Sequence, residues 1–420
     1  MEKYKKKVVV AMSPKESLRL PTGQAGGLRK NKVVVAMSGG LDSSVAAAFL
    51  KRANFNVIGV FMKFWPQYYS KAEYGVKQNR LKQNRCCSLE AEVRARKVAK
   101  ILKIPFYVFN FEKEFKKKIV DYFLKKYKKG ETPNPCVVCN KEIKFGLLLE
   151  KALALDADFV ATGHYARLCR ETLNPKSEIL NYRYKLLKAK DKNKDQSYFL
   201  WMLNQEQLKR TLFPIGDYTR KEVENLARKF KLPVLKARKS VEICFIQTTI
   251  YDFLRKYLKE KPGEIVDTKG KLVGEHQGLW FYTIGQRKGI GLPQGPYWVL
   301  GKDLKRNFLI VTKNEKDLLK KELTCKNINW ISPKHPALFP LKIKAKIRYG
   351  HQPASAILSK NLKSKIYNLK FNKPQRAITP GQSVVFCLPT VAPGFAGALR
   401  QGESAKPGKG QEILGGGIIS

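Results

Sequence analysis

The chain has 420 residues, with 82 Lys and Arg against 34 Asp and Glu, so its formal net charge is +48. At roughly 100–200 residues per domain, this length predicts two to four domains, each with its own core. Hydrophobic residues make up 43% and aromatic residues 11%, which excludes a disordered basic tail because such a chain lacks the material for a core.

Segments that direct a chain to a membrane or out of the cell are not evident. No run approaches the ~18 apolar residues of a spanning helix, so we expect no membrane contact. The basic residues 2–7 are followed by too few apolar residues for a signal peptide. Eight cysteines are too few for a disulfide scaffold in a chain of this length. We therefore expect a reducing, cytoplasmic compartment, where cysteines are catalytic, metal-binding or core residues.

The excess of positive charge favours a polyanionic partner. Binding to nucleic acid releases counterions and relieves self-repulsion, so nucleic acid is the leading partner class. The alternative is that lysines coat solvated helix faces. In residues 113–130, Phe115, Ile119, Phe123 and Tyr127 recur at every fourth position and lysines fill most of the rest, as in an amphipathic helix. The charge alone therefore predicts no function.

The first half of the chain alternates β-rich runs with helical patterns. Strands are predicted at residues 32–36, 57–62, 106–110 and 158–162, and helices at about 42–53, 88–102, 112–129 and 140–154. This order predicts an α/β, Rossmann-like domain whose parallel sheet binds its ligand at the carboxyl ends of the strands.

The pattern changes after about residue 249. A helix at 251–258 is followed by glycine-punctuated, β-rich sequence with turn signals at 267–270 and 380–381. The predicted domains cover residues 1–248, 249–316 and 317–420. We expect the second to be a small mixed α/β domain and the third to be a compact β-barrel, with a sandwich as the alternative.

Two segments interrupt this organisation. The run KVVVAMS occurs at residues 7–13 and again at 32–38, but only the second copy continues into two glycines, so the first is expected to carry no site. About residues 13–31 are rich in Pro, Gly and Arg, and about residues 388–411 have a similar composition. We interpret both as flexible insertions, in the first and third domains.

Residues 38–44, SGGLDSS, follow a Val-rich strand and open a helix. The glycines let the backbone approach an anion, while serine hydroxyls and the N–H groups of the helix start supply donors. No Lys-Ser/Thr pair follows, so this is not a Walker loop. The string resembles the SGGxDS signature of PP-loop ATP pyrophosphatases; a plain Gly-rich turn is the alternative. Asp42 is expected to hold Mg²⁺ or the start of the helix.

Two cysteines stand in compact motifs. Cys139 follows the Pro-rich turn TPNPC and precedes the helix predicted from residue 140. A thiol near a helix N-terminus in basic surroundings has a lowered pKa and is a better nucleophile. Cys244 lies in EICFI, far away in sequence. Such a pair suits sulfur transfer, in which one thiol carries a persulfide and the other resolves it as a disulfide.

Other roles for these cysteines stay open. Cys136 and Cys139 form a C-x-x-C pair, which with Cys244 could hold zinc or an iron–sulfur cluster, and Cys86 or Cys87 could supply a fourth ligand. A structural role is the remaining alternative. It is the expectation for Cys169, Cys325 and Cys387.

A series of motifs then occurs in a fixed order: SGGLDSS, CCSLEAE, TPNPCVVCNKEIKF, ATGHYAR, KDQSYFL, EICFI, GEHQGLWFYTIGQRKGIG, KIRYG, AITPGQSVVF and LGGGIIS. Together they resemble the tRNA-specific 2-thiouridylases of the MnmA/TrmU family, a family of PP-loop ATP pyrophosphatases. The resemblance runs from about residue 32 to 386 and resumes at the final motif. It is specific because the whole ordered set is present.

This resemblance implies a tRNA-uridine 2-sulfurtransferase. ATP would adenylate the C2 oxygen of the wobble uridine in tRNAs for Lys, Glu and Gln, and persulfide sulfur would replace that oxygen. The catalytic thiols would be Cys139 and Cys244, with the persulfide on Cys244. The residues implied to contact ATP are Ala36, Met37, Ser38, Gly39, Gly40, Leu41, Asp42, Ser43, Met62 and Gly163. Those implied to contact tRNA are Asn134, Pro135, Cys136, His164, Lys194, Asp195, Gln196, Arg348, Tyr349 and Gln382.

The same resemblance implies further partners: a cysteine desulfurase or sulfur-relay protein as the sulfur donor, and an external reductant. Arg94 and Lys239 depart from the family pattern, in which acidic residues are usual at both positions. Two other functions stay open. One is a PP-loop synthetase acting on a small metabolite, although no ammonia or amino-acid site is evident. The other is a non-catalytic RNA-binding protein with a degenerate ATP site.

Overall fold

The structure is a computed structural model. It describes residues 9–10 (backbone only), 30–64, 88–172, 182–235, 243–246, 248–331, 339–361, 364–389 and 412–420. Cys86, Cys87, Lys239 and most of the two predicted insertions lie outside the described residues.

The helices follow one another along the chain. In order, the α-helices are α1 (Leu41–Arg52), α2 (Leu89–Leu102), α3 (Glu112–Phe115), α4 (Asp121–Lys128), α5 (Pro135–Cys139), α6 (Leu148–Leu153), α7 (Gln205–Lys209), α8 (Arg220–Lys229) and α9 (Ile250–Tyr257). π-Helical segments at Lys116–Val120 and Asn140–Leu147 join α3 to α4 and α5 to α6. 3-10 turns lie at Ser197–Leu200, Leu279–Phe281 and Glu315–Leu318.

The strands form three sheets. In order they are β1 (Val9–Val10), β2 (Lys32–Ala36), β3 (Asn56–Lys63), β4 (Phe106–Asn110), β5 (Phe159–Ala161), β6 (Ala166–Thr172), β7 (Tyr182–Lys188), β8 (Thr211–Leu212), β9 (Gly263–Val266), β10 (Leu272–His276), β11 (Trp298–Asp303), β12 (Phe308–Thr312), β13 (Leu319–Trp330), β14 (Leu341–Lys346), β15 (Ala354–Lys360), β16 (Tyr367–Arg376), β17 (Ser383–Cys387) and β18 (Glu412–Ile419).

The first sheet is parallel throughout, with strand order β4-β3-β2-β5-β8. Strands β2 to β5 are the four predicted ones. Side chains of β2 alternate between the two faces: Val33 and Val35 pack with α1, α2 and α8, whereas Val34 and Ala36 pack with the helices of residues 112–153. Helices therefore cover both faces, which confirms the predicted Rossmann-like domain.

The helix predicted from about residue 140 begins earlier, at Pro135, and runs through α5, the π segment and α6 to Leu153. The prediction is wrong here because it read the prolines as a turn outside the helix. Proline has a fixed φ and no N–H, both of which suit the first helical position. Cys136 therefore lies in the first turn and Cys139 in the second.

The other two sheets also agree with the predicted classes. The second has order β10-β9-β12-β11 and is mixed, because β9 pairs parallel with β12 and the other pairs are antiparallel. In the third, β18-β13-β16-β15-β14-β17 closes back onto β18 as an antiparallel ring. The predicted barrel is confirmed, and the sandwich is not formed.

The barrel is continuous with a hairpin from the first half of the chain. β18 pairs with β7, and β7 pairs with β6. Arg183 Nη2 and Lys185 Nζ lie 3.2 and 3.4 Å from the carboxylate of Glu412 at the start of β18. Burial raises the pKa of Glu412, and the two cations oppose this shift. One nine-stranded sheet thus spans both regions.

The two copies of KVVVAMS occupy different sheets. The second copy supplies β2, in the parallel sheet. Val9 and Val10 of the first copy form β1, which pairs antiparallel with β6 at the outer edge of the nine-stranded sheet. Only the second copy therefore leads into the glycine loop.

Close packing explains a glycine of the final motif. A Cβ at Gly416 would lie 2.6 Å from Val384 O and 2.8 Å from Trp201 Cδ2. Trp201 is fully buried, and its carbonyl accepts a hydrogen bond from Asn329 Nδ2 at 2.7 Å. Because the indole is enclosed, it has little room to shift, and any side chain at position 416 would press against it.

We expect Gly416→Ala to lower the free energy of unfolding by about 1–3 kcal/mol, the usual cost of overpacking a rigid interior. Gly350→Ala is the matched control, because nothing lies within 4 Å of a Cβ at that position, and it should stay within about 0.5 kcal/mol of wild type. Urea denaturation measures both. Equal stability of Gly416→Ala and wild type would contradict the packing argument.

Candidate active site

The phosphate loop connects β2 to α1. The predicted ATP contacts Ala36, Met37, Ser38, Gly39, Gly40, Leu41, Asp42 and Ser43 form it, with Met62 near the end of β3 and Gly163 after β5. The N-cap Gly40 offers no side-chain acceptor to the N–H groups of the first turn of α1. Those donors and the positive end of the helix dipole are therefore available to an anion.

Two glycines let neighbouring backbone approach this loop. Gly39 has φ +70°, and a Cβ there would lie 2.0 Å from Ala91 O in α2. A Cβ at Gly163 would lie 2.6 Å from Ser43 N and 2.7 Å from the carbonyl carbon of Asp42. The loop is thus packed between α2 and the segment that follows β5, and larger residues would displace it.

Arg94 in α2 contacts the loop directly. Its Nε donates to Gly39 O at 3.1 Å. An aspartate, which the family pattern favours at this position, has no proton to donate when it is ionised. The departure from the pattern therefore adds a hydrogen bond that the acidic residue would lack.

Asp42, in the first turn of α1, accepts hydrogen bonds from two side chains. Tyr165 Oη donates to Oδ1 at 2.8 Å, and Arg220 Nη1 lies 2.9 and 3.0 Å from Oδ1 and Oδ2. Burial raises the pKa of Asp42, and Arg220 and Tyr165 oppose this shift. With both oxygens engaged and a guanidinium beside them, Asp42 does not fit as a ligand for Mg²⁺. Nor does it cap α1, since the N-cap is Gly40.

Residues 191–196, which we call the acidic turn after Asp191 and Asp195, carry three predicted tRNA contacts. Lys194 is exposed. Asp195 is buried and accepts from Ala189 N at 3.0 Å and from Ser197 Oγ at 2.9 Å. Gln196 Oε1 accepts from Tyr165 N at 3.0 Å. Of the three, Lys194 is therefore the one whose side chain faces solvent.

The two cysteines of the C-x-x-C pair lie on α5. Cys139 is buried and Cys136 is half-buried. The field of a helix N-terminus falls off within the first turn. Cys136 lies in that turn and Cys139 in the next one, so the expected position of Cys139 just before a helix is wrong, while its role as a nucleophile stays a prediction.

Cys244 is anchored by its neighbour. The ring of Phe245 packs against Phe115, Phe123 and Phe253, with centroids 5.7, 5.4 and 5.3 Å away. Cys139 belongs to the same apolar cluster, and Cys244 packs against that cluster. The fold thus brings to one cluster two cysteines that are distant in sequence.

A metal site does not form from these cysteines in the structure. Among the described residues, no group of three or more His, Cys, Asp or Glu side chains could hold a metal ion, and this includes Cys136, Cys139 and Cys244. Cys169, Cys325 and Cys387 are buried, as expected for structural thiols. Burial raises the pKa of Cys325 to about 12 and that of Cys387 to about 11.

Residues 130–134, between α4 and α5, form what we call the connecting segment, and the mixed-sheet domain holds one side of it. Lys302 Nζ in β11 donates to Gly130 O at 3.0 Å. The hydroxyls of Thr132 and Thr283 lie 3.3 Å apart. These contacts fix the backbone just before α5.

The barrel holds the other side of the connecting segment. Thr132 N donates to Pro380 O at 2.9 Å, and Gln382 Nε2 donates to Thr132 O at 2.8 Å. Tyr198 hydrogen-bonds to the side chain of Asn134 and donates to Ser383 O at 2.9 Å. The mixed-sheet domain, the barrel and the 3-10 turn at Ser197–Leu200 therefore together locate the start of α5.

Tyr349 and Arg348, two further predicted tRNA contacts, differ in their surroundings. Tyr349 is 39% exposed and packs on Phe199, with ring centroids 4.6 Å apart. Arg348 Nη2 donates to Ile284 O at 3.2 Å and to Ala377 O at 3.0 Å, which joins the mixed sheet to the barrel.

His164 is enclosed. Its Nδ1 lies 2.7 Å from Thr162 Oγ1, and its ring centroid lies 6.0 Å from that of Phe145 and 6.1 Å from that of Phe213. Burial and the charge of Lys144 hold the pKa of His164 well below its usual value, so the ring is neutral. A contact between this side chain and tRNA stays a prediction.

Three residues that sequence reasoning did not single out complete the site: Tyr165, Asp191 and Arg220. Tyr165 directly follows the Gly163-His164 pair, which is the one available signal. Asp191 and Arg220 lie in ordinary polar sequence, and only the folded arrangement reveals their relation to Asp42.

Protein-family models match three consecutive regions of the chain. They are the tRNA methyl transferase HUP domain at residues 31–248, the tRNA methyl transferase PRC-barrel domain at 251–313 and the aminomethyltransferase β-barrel domain at 320–392. The tRNA-specific 2-thiouridylase MnmA 2 of Thermoanaerobacter sp. (strain X514) is 46% identical over 360 residues, which cover 85% of this chain and 94% of the relative. The chain belongs to the MnmA family of tRNA-specific 2-thiouridylases.

Other relatives in the MnmA family agree. That of Moorella thermoacetica is 46% identical, over 84% of this chain and 95% of its own length. That of Carboxydothermus hydrogenoformans is 41% identical, over 93% of this chain and 98% of its own length. The predicted family is thus confirmed, whereas the domain boundaries and the roles of individual site residues stay predictions. In the described part of this MnmA family member, no helix has the length and apolar character needed to cross a membrane.

Lys302 provides a pH-dependent test of the contact with the connecting segment. Burial lowers the pKa of Lys302 to about 8, below the ~10.4 of an unfolded lysine. Folding therefore penalises the charged form, fully below about pH 8, and the penalty disappears as the pH rises to about 10.4. Lys302→Met removes this penalty. The free energy of unfolding of wild type should therefore increase, relative to that of the variant, as the pH rises from about 8 to about 10.4.

The measurement is urea denaturation of both proteins at about pH 7, where the penalty is complete, and at about pH 10, where most of it is lost. Lys305→Met, at an exposed position nearby, is the control and should show a difference from wild type that does not depend on pH. The same constant difference for Lys302→Met would contradict a buried, charge-penalised Lys302.

Proposed function

We propose that the chain is a tRNA-uridine 2-sulfurtransferase that makes 2-thiouridine at the wobble position of tRNAs for Lys, Glu and Gln, with ATP as its second substrate. The observation that carries this proposal is the similarity to a tRNA-specific 2-thiouridylase over 93% of the chain. The phosphate loop supports the proposal because activation needs a site for ATP. The cysteines on α5 support it because sulfur transfer needs a thiol. As part of the same proposal, the enzyme works in the cytoplasm.

The first step activates the uridine. Its C2 oxygen is a poor leaving group, so the oxygen attacks the α-phosphorus of ATP; the new O–P bond forms and the bond to pyrophosphate breaks. Donors at the start of α1 are suited to the negative charge of the departing pyrophosphate. The target base has to leave its stack to reach the loop, as other base-modifying enzymes require.

The second step transfers sulfur. We assign the persulfide to Cys244 and the resolving thiol to Cys139. Attack of the Cys139 thiolate on the inner sulfur of the persulfide forms a Cys139–Cys244 disulfide and expels hydrosulfide. The hydrosulfide adds at C2, and AMP leaves with the original oxygen. An external dithiol reduces the disulfide, and a cysteine desulfurase or relay protein reloads Cys244.

Mg²⁺ and the individual tRNA contacts are finer parts of the proposal. Mg²⁺ often binds through substrate phosphates, with few protein ligands. Since Asp42 does not fit as its ligand, Mg²⁺ would be held mainly by the phosphates of ATP. Among the predicted tRNA contacts, Lys194 and Tyr349 are supported by their exposure.

The thiol assignments are tested by Cys139→Ser and Cys244→Ser, each of which should reduce 2-thiouridine formation below about one hundredth of wild type. Binding of tRNA should persist, because neither side chain contributes to the charged surface. Cys169→Ser is the matched control: Cys169 is buried in β6, away from this chemistry. The product is measured by mass spectrometry of nucleosides after incubation with ATP, persulfide donor and tRNA.

Full activity of either variant would rule out the persulfide–disulfide route while leaving the enzyme class intact. The two alternative functions have different signatures. A small-metabolite synthetase would release pyrophosphate with an amino acid and without tRNA. A non-catalytic RNA-binding protein would bind tRNA but not ATP.

A further inference from the structure

In the phosphate loop, the carboxylate of Asp42 is held from outside the loop by two different donors. Tyr165 Oη reaches it at 2.8 Å, and Arg220 Nη1 at 2.9 Å. Tyr165 follows β5 in the chain, and Arg220 begins α8. A change in the position of either donor would therefore move the first turn of α1.

Both donors are themselves attached to the acidic turn. The backbone N–H of Arg220 donates to Asp191 Oδ2 at 2.9 Å. Tyr165 N donates to Gln196 Oε1 at 3.0 Å, and Gln196 N donates back to Tyr165 O at 2.8 Å. Two separate arms thus connect the ends of one turn to one carboxylate: Tyr165 reaches Oδ1, and Arg220 reaches both oxygens.

The acidic turn is internally stiff. Asp191 Oδ1 accepts from Asn193 N at 3.0 Å and from Lys194 N at 3.2 Å. Asp195, 6% exposed, closes the other half through hydrogen bonds to Ala189 and Ser197. A displacement of the turn is therefore passed on to the two arms, because the turn has little freedom to absorb it within itself.

The turn also faces the surface where tRNA is proposed to bind. Lys194 is exposed and close enough to Asp42 to help lower its pKa. Tyr349 in the barrel lies on Phe199, three residues beyond Gln196, and its pKa is raised by burial and also by the charges of Asp195 and Asp191. A phosphate group at Lys194 would thus act on the same structure that holds the loop.

We propose that Tyr165 and Arg220 are positioning residues that couple the acidic turn to Asp42, so that tRNA on the turn strengthens ATP binding at the phosphate loop. This inference rests on the proposed function. When tRNA immobilises the turn, the two donors and the first turn of α1 are already ordered, and ATP binds without the cost of ordering them. By linkage, ATP must strengthen tRNA binding by the same factor.

The test uses Tyr165→Phe, which keeps the ring and deletes the donor to Asp42. Calorimetry measures the affinity of a non-hydrolysable ATP analogue for the full chain, with and without saturating unmodified lysine tRNA. In wild type we expect tRNA to strengthen analogue binding about 5- to 150-fold, the usual range of coupling. In Tyr165→Phe, which keeps only the Arg220 arm, the ratio should fall by about threefold or more. Tyr107→Phe, at a half-exposed position on the edge strand β4, is the control and should keep the wild-type ratio.

A purely structural role gives a different result. If Tyr165 only stabilises the loop, Tyr165→Phe weakens analogue binding equally with and without tRNA, and the unchanged ratio overturns the inference. Arg220→Gln removes the charge from Asp42 but keeps the backbone N–H that binds Asp191, and it serves as the second variant if Tyr165→Phe fails to fold. It should lower the ratio in the same way.

The proposed function and this inference fail separately. If wild type binds tRNA and makes 2-thiouridine, yet its affinity for the analogue is the same with and without tRNA, the coupling is wrong and the function stands. If wild type makes no 2-thiouridine with ATP, donor and reductant, the function is wrong, and the coupling to tRNA is withdrawn with it.

Discussion

The hydrogen bonds that hold the connecting segment fix the position in space of the first turn of α5, and the rest of the site depends on that position. Lys302 binds the carbonyl of Gly130, and Gln382 binds that of Thr132. Both bonds go to backbone groups, which are costly to leave unpaired when they are buried. The segment therefore cannot move away from either domain without losing a hydrogen bond to it. This constraint explains how Cys136 and Cys139 keep a fixed place although they follow an irregular stretch of chain.

The positive charge is used in two ways. Several arginines have defined, partly buried partners: Arg220 binds Asp42, Arg183 binds Glu412, and Arg348 binds carbonyl oxygens. Most lysines of residues 113–129 are exposed on their helices, although Lys116, Lys118 and Lys126 also form ion pairs. The first group orients other groups, whereas the second supplies attraction to phosphates that does not depend on sequence. The net charge of +48 is thus a poor guide to specificity.

Local signals made much of the fold predictable. The valines of β2 and the following glycines identify a strand, a loop and a helix, because each depends on neighbouring residues. The start of α5 was not predictable in this way, since prolines favour both turns and first helical turns. The environment of Asp42 was even less accessible. Its partners Tyr165 and Arg220 come from distant parts of the chain, and no local pattern specifies a contact of that kind.

The closure of the barrel by β18 has a consequence for synthesis. Glu412 pairs with Arg183 across 229 positions of sequence, and the same strand completes the ring between β13 and β17. While the ribosome is still making residues before 412, both of those strands have an open edge, and such edges recruit other strands. A nascent chain of this protein therefore exposes an aggregation-prone surface from the time that β13 and β17 have been made until residues 412–419 pair with both of them.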